Sequence, residues 1–109
     1  MMLRDKNIME SKKIYITINH LEHFQSGCMF KPGDILLMKK DHENCYDDEA
    51  IVARNKHQVK CGYVANSVCS VYRGTYSAGR IYDKVPEEFQ CVVRFANEDA
   101  LIGEVEVSD

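Results

Sequence analysis

The stretch Lys31-Pro32-Gly33-Asp34-Ile35-Leu36-Leu37-Met38, continued by Asn44-Cys45-Tyr46-Asp47-Asp48-Glu49-Ala50-Ile51-Val52 and closed by Gly62-Tyr63-Val64, decides how this chain folds. Two apolar runs, Ile35 to Met38 and Ala50 to Ala53, bracket a polar loop that carries charge and one aromatic ring. Short apolar runs bounded by turn residues read as strands, and Pro32-Gly33 suits a tight turn into the first of them. A loop held at both ends by buried strands is stiff enough to recognise a ligand.

The rest of the chain supplies further strands. Ile14, Ile16 and Ile18 alternate with Tyr15, Thr17 and Asn19, which makes one half-buried strand starting near Lys12. Glu49–Arg54 and Gln58–Val64 flank the short turn Asn55-Lys56-His57 and so form an antiparallel hairpin. Gly62 inside the second of these marks a bulge or the close approach of another backbone. Arg80–Val85 and Phe89–Ala96 read as two more strands around Pro86-Glu87-Glu88, and Leu101–Val107 alternates again as an edge strand or the strand that closes the sheet. Asn66 has the chemistry of an N-cap, and Val68, Val71 and Tyr72 behind it predict a short helix from about Ser67 to Tyr76. Strands in a meander with little else imply a mostly β chain, a small OB-like or SH3-like β-barrel with one short helix across its mouth. Closure would remove the exposed edges that invite aggregation. Residues 1–11 have no sustained period and are expected as a flexible arm, with the barrel spanning 12–107.

Composition narrows the functions. With 109 residues the chain is one domain, and 45% apolar with 28% charged residues is ordinary for a soluble globular protein. No segment approaches the roughly 18 apolar residues of a membrane span, and the start lacks the apolar core of a secretory signal, so no membrane partner and a cytoplasmic location are expected. The five cysteines form no close pairs and are expected as reduced thiols. A net charge of −3 argues against indiscriminate nucleic-acid binding. The acids are concentrated at the end, in Glu98, Asp99, Glu104, Glu106 and Asp109, which leaves the preceding chain slightly basic.

Metal and catalytic chemistry have little support. His20, His23 and Cys28 lack a fourth ligand for a closed zinc site. The acids Asp41, Glu43, Asp47, Asp48 and Glu49 fail the EF-hand template, because Tyr46 stands where that loop needs glycine. No Ser or Cys has a recognisable motif partner, so neither an enzyme nor a cofactor is expected.

Lys31-Pro32-Gly33-Asp34 before a strand, then Asn44-x-Tyr46-Asp47-x-x-Ala50-Ile51, then Gly62-Tyr63-Val64, resembles the HIRAN domain family over about Ile14 to Phe95. The resemblance implies an OB-like barrel that binds DNA, with helicase-linked members recognising the 3′-hydroxyl end of single-stranded DNA in repair and genome maintenance. It implies that Tyr46 is a stacking ring, that Asp47 accepts the terminal hydroxyl, and that Asn44 holds the loop or touches the backbone. His23 and Phe24, before Ser26-Gly27, match the family's upstream segment. The chain departs from the pattern with His23 in place of arginine, Gln25 in place of a second aromatic and Cys45 where proline is common. For the family's C-terminal aromatic, Phe89 is the candidate. Arg54, Lys56 and Lys60 form a candidate basic flank for the DNA backbone. The partners implied are single-stranded DNA ends and helicase or repair proteins.

Two alternatives remain open on the residues themselves. Asn44 and Asp47 also suit a purely structural loop, tied by side-chain to backbone bonds with Tyr46 lying over the rim. A protein-interaction module, using a barrel edge or the acidic tail, is the competing function. Tyr72 and Tyr76 fall at helical spacing and suit packing better than stacking.

Overall fold

A computed structural model describes residues 11–20, 29–67 and 69–108. Among these, six strands close into an antiparallel barrel: β1 (Ser11–His20), β2 (Ile35–Lys40), β3 (Ile51–Arg54), β4 (Lys60–Val64), β5 (Glu88–Ala96) and β6 (Ala100–Ser108). Their order around the wall is β1-β4-β3-β2-β5-β6, with β6 returning to β1. One short helix, α1 (Ala78–Ile81), runs on into a 3₁₀ turn at Tyr82–Lys84. The described residues thus form the mostly β small barrel with a single short helix that the strand pattern predicts.

β1 is the seam. It pairs with β6 from Ser11↔Ser108 to Asn19↔Ala100, and its last residues also pair with β4, from Ile18↔Val64 to His20↔Gly62. Ser11, expected in the arm for want of a sustained period, is already in this strand. Ile14, Ile16 and Ile18 point inward and meet Leu36, Met38, Ile51, Val93, Leu101 and Val105 in one core. Each such side chain contributes about 1.5–3 kcal/mol by leaving water. β6 is not an edge strand, because it bonds to β5 as well as β1.

Two glycines allow this closure. A Cβ on Gly62 would run into the backbone carbonyl of Asn19, so β1 and β4 could not approach as they do. The neighbouring register shift between Ala53 and Arg54 bends β3 at the same level. A Cβ on Gly103 would run into Sγ of Cys91, which fills that space as a buried apolar group.

The helix is displaced from the predicted position. The 69–77 segment is irregular rather than helical, and the Arg80–Val85 segment expected as a strand is largely α1 and its 3₁₀ extension. Two sets of bonds decide this. Tyr76 N donates to the Tyr15 carbonyl and Tyr72 N to Thr17 Oγ1, which tie the 69–77 segment to β1 through a run of turns. Ser77 then caps α1, its Oγ accepting from Arg80 N. Ala78, Ile81 and Val85 are all buried, so α1 and the residues after it plug the barrel. Asn66 does serve a helix N-terminus, but a distant one: its Oδ1 accepts from Gly79 N at 2.7 Å.

One cysteine differs from the expected reduced thiols. Cys61 is disulfide-bonded, whereas Cys45, Cys69 and Cys91 are free thiols. Burial pushes the Cys91 thiol up to about 12, which leaves it inert.

Candidate functional site

The β2–β3 connection is a pinned loop. Asp41 N donates to the Ala50 carbonyl at 2.8 Å and closes it at the base. Asn44 Oδ1 accepts from the amides of Tyr46 at 2.8 Å and Asp47 at 3.1 Å, which is why asparagine suits this position. Asp47 repeats the device, its Oδ1 accepting from Glu49 N at 2.8 Å. The alternation of short polar residues thus sets the backbone in place of a ladder.

Two side-chain ties lock the loop to other elements. Asp41 Oδ2 accepts from the Tyr63 hydroxyl on β4 at 2.6 Å. Asp47 Oδ2 accepts from Asn66 Nδ2 at 3.0 Å, and the Asn66 carbonyl is held by α1. The chain Asp47–Asn66–Gly79 thereby fixes a carboxylate against the helix. Gly79 sits close to both Asn66 and Glu49, and an added Cβ would crowd each of them.

The electrostatics follow from these bonds. The Tyr63 hydroxyl holds the Asp41 carboxyl below its ordinary 3.8, against a smaller opposing effect of burial. Burial, reinforced by the adjacent Asp41, pushes the Tyr63 phenol up to about 12. Both shifts describe the same state, a charged carboxylate accepting from a neutral phenol.

Tyr46 stands apart from this network. Its backbone is fixed by Asn44, yet its ring is 94% exposed. Nothing in the fold uses that ring as core.

On the adjoining wall, Arg54 and Lys60 face each other across β3 and β4. With Lys39, Val52 and the start of the loop they line a shallow groove of about 250 Å³. Arg54 Nε is buried there without a hydrogen-bond acceptor among the described residues. Lys40 reaches the other way, its ammonium 4.5 Å from the centre of the Tyr82 ring. His42 is paired with Glu87 at 2.7 Å, so both are engaged at the groove's margin.

The structure therefore brings Asn44, Tyr46 and Asp47 together on one loop and sets Arg54 and Lys60 in the groove beside it. Lys56 is not part of this group. It lies in the turn beyond the far end of β3, in a depression shared with Met29, Phe30 and Ile35. His23 and Phe24 lie outside the described residues. Phe89, the candidate for a C-terminal ring, packs against the core and is not a platform. Sequence reading gave Asn66 and Tyr63 structural places but no site role, and passed over Lys39. Lys39 was legible from its polar place in an apolar strand, whereas nothing in the spacing links Asn66 to Asp47. No protein-family model, curated protein or solved structure matches this chain.

Proposed function

We propose that this barrel is a binding module for single-stranded DNA, which it takes at a 3′-hydroxyl end through the Asn44–Glu49 loop. The observation that carries the reading is a ring, Tyr46, 94% exposed on a loop tied down at both ends and beside a fixed carboxylate. A pinned, solvent-facing ring offers a base of any type a face to stack on, worth about 1–3 kcal/mol. Asp47 accepts one bond from Glu49 N and one from Asn66, and a carboxylate has lone pairs left for a third donor. A terminal hydroxyl can supply that donor, whereas a phosphate at the same place would be repelled. Arg54, Lys60 and Lys39 supply the positive field that draws a polyanion to the neighbouring wall.

The resemblance to the HIRAN family supports the same loop and the same two residues, and it extends the reading to genome maintenance alongside helicase or repair proteins. In this reading the protein binds and does not catalyse. The competing idea of an interaction module acting by strand addition has less edge to use, since β1 is also paired with β4 over Ile18–His20 and β6 with β5 over Leu101–Glu104. Part of the acidic tail is also engaged, because Glu104 pairs with Arg94 at 3.1 Å and with Lys13 at 3.8 Å.

Fluorescence anisotropy tests the proposal, using one labelled strand ending in either a 3′-hydroxyl or a 3′-phosphate. Tighter binding of the hydroxyl end, weakened by salt and with the preference abolished in Asp47→Ala, is the expected result. Absence of binding to both strands at low salt would overturn it.

A further inference from the structure

Two grooves flank the Asn44–Glu49 loop and its Asn66 tie, and their linings differ in kind. The first, beside Arg54 and Lys60, has cations and the acids Asp41 and Glu43 but no strongly exposed ring. The second starts at Asn66 itself, passes Arg80 and Arg73, and merges over Tyr72 to Thr75 with a depression walled by Tyr15, Phe95 and Ile102. Among the described residues no acid lines either part of it.

We infer that the second groove is a base-stacking track for single-stranded nucleic acid, carrying the nucleotides that precede a bound end. The inference rests on the reading of Tyr46 and Asp47 as the end site. Three rings face solvent along the groove, Phe95 at 66%, Tyr15 at 43% and Tyr72 at 40% exposure. A set of exposed rings with arginines between them is the combination that binds a strand without regard to sequence, the rings for bases and the cations for phosphates. Arg73 has no ion-pair partner among the described residues. Arg80 is stacked on Tyr76 with its guanidinium 4.1 Å from the ring centre, which orients the group without neutralising it.

The platform is rigid enough for the role. Thr17 and Thr75 share a hydroxyl hydrogen bond of 2.7 Å, Tyr72 N donates to Thr17, and Tyr76 N donates to the β1 backbone. These bonds hold the segment bearing Tyr72 and Arg73 to the barrel wall that bears Tyr15. Two cationic groups amid rings, without an ion-pair partner among the described residues, are complementary to a polyanion and not to a second copy of this protein of net charge −3.

The test compares a 3′-hydroxyl trinucleotide with a decamer of the same sequence type, by anisotropy, on the full chain. The decamer is expected to bind more tightly. Phe95→Ala should cost it about tenfold and Arg73→Glu should flatten its salt dependence, with the trinucleotide's affinity and hydroxyl preference unchanged. Phe95→Tyr keeps a ring and should restore the affinity, which separates stacking from a folding defect. If the decamer gains nothing over the trinucleotide, or loses its gain in Arg54→Glu and Lys60→Glu but not in Arg73→Glu, the track is overturned while the end site stands. If the decamer's binding depends on Phe95 but shows no preference for a 3′-hydroxyl, the track stands and the end reading falls. Binding of neither probe at low salt overturns both.

Discussion

Asn44 and Asn97 tie their loops by the same device, yet only one of the two loops presents a ring to solvent. Asn97 Oδ1 accepts from Asp99 N at 2.8 Å and Ala100 N at 2.9 Å, closely matching what Asn44 does for Tyr46 and Asp47. Asn55 does it a third time, for His57 N at 2.8 Å and Val59 N at 3.0 Å. The asparagine is therefore scaffold in all three, and its presence in the Asn44 motif is no sign of ligand chemistry. What distinguishes the Asn44 loop is added to the scaffold: Tyr63 holding Asp41, Asn66 holding Asp47, and a ring that packs on nothing. At the Asn97 turn, Glu98 and Asp99 make no side-chain tie to another element among the described residues.

The largest difference between these loops should come from burial. Asn55 is 5% exposed, so Asn55→Ala removes a buried side chain together with its bonds to His57 N and Val59 N. That should cost about 2 kcal/mol, lowering the thermal midpoint by roughly 10 °C. Asn97 is exposed, and water can replace its side chain, so Asn97→Ala should cost about 1 kcal/mol or less. Thermal unfolding of the two variants side by side checks this. Equal losses would mean that the loops differ in something other than solvent access.

Tyr46→Ala sharpens the contrast from the other side. Removing a ring that is 94% exposed should leave stability within about 0.5 kcal/mol. Under the proposed function it should weaken binding of a single strand by about 1–3 kcal/mol. A melting curve together with a binding titration separates the outcomes, and a substantial loss of stability would make Tyr46 part of the scaffold after all.

Tyr63→Phe tests the tie between β4 and the loop. Deleting one hydroxyl should cost about 1 kcal/mol at neutral pH. Its signature is in the pH profile. Asp41 is held below its ordinary 3.8, so its contribution is complete well above that pH and is lost as pH falls through the lower folded value. The variant should therefore lose less stability on acidification than the wild type. The Tyr63 phenol is raised from 10.0 to about 12, so its contribution is present below pH 10.0 and lost as pH rises through about 12. The alkaline limb should become shallower in the variant without vanishing, because buried Cys91, raised from 9.0 to about 12, acts in the same direction and is untouched. Urea unfolding across pH measures both limbs.

The barrel was legible because its strands alternate or form short apolar runs between turn residues, and Gly62 in particular marked a backbone contact that the fold does make. The helix was misplaced for a local reason. Val68, Val71 and Tyr72 resemble a helical stripe, but bonds from Tyr72 and Tyr76 to β1, more than fifty residues away, override it. The true helix did leave a trace, Ser77 as cap with Ala78, Ile81 and Val85 at helical spacing, which the strand-like run through Val85 obscured. The loop's own bonds could be read from Asn44 and Asp47, since they are local. The partners that make it a candidate site could not, because the Asn66–Asp47 contact joins residues 19 apart and is set by the fold, not by local spacing.

The β3–β4 turn offers the smallest and cleanest contrast. Gln58 there has φ of 67°, the one positive value outside glycine among the described residues. For a residue with a Cβ that conformation costs about 1–2 kcal/mol, offset here by Gln58 N donating to the Asn55 carbonyl at 2.9 Å. Gln58→Gly removes the Cβ strain and keeps the amide, but it also loosens the unfolded chain, which takes back part of the gain. The net expectation is a stabilisation of about 0.5 kcal/mol, seen as a higher urea midpoint at unchanged slope. Tyr46, on a loop without such strain, offers no comparable gain from glycine. A fall in the midpoint would show that the Gln58 side chain holds the turn by contacts that outweigh its backbone strain, and Asn55 would then no longer account for the turn's order alone.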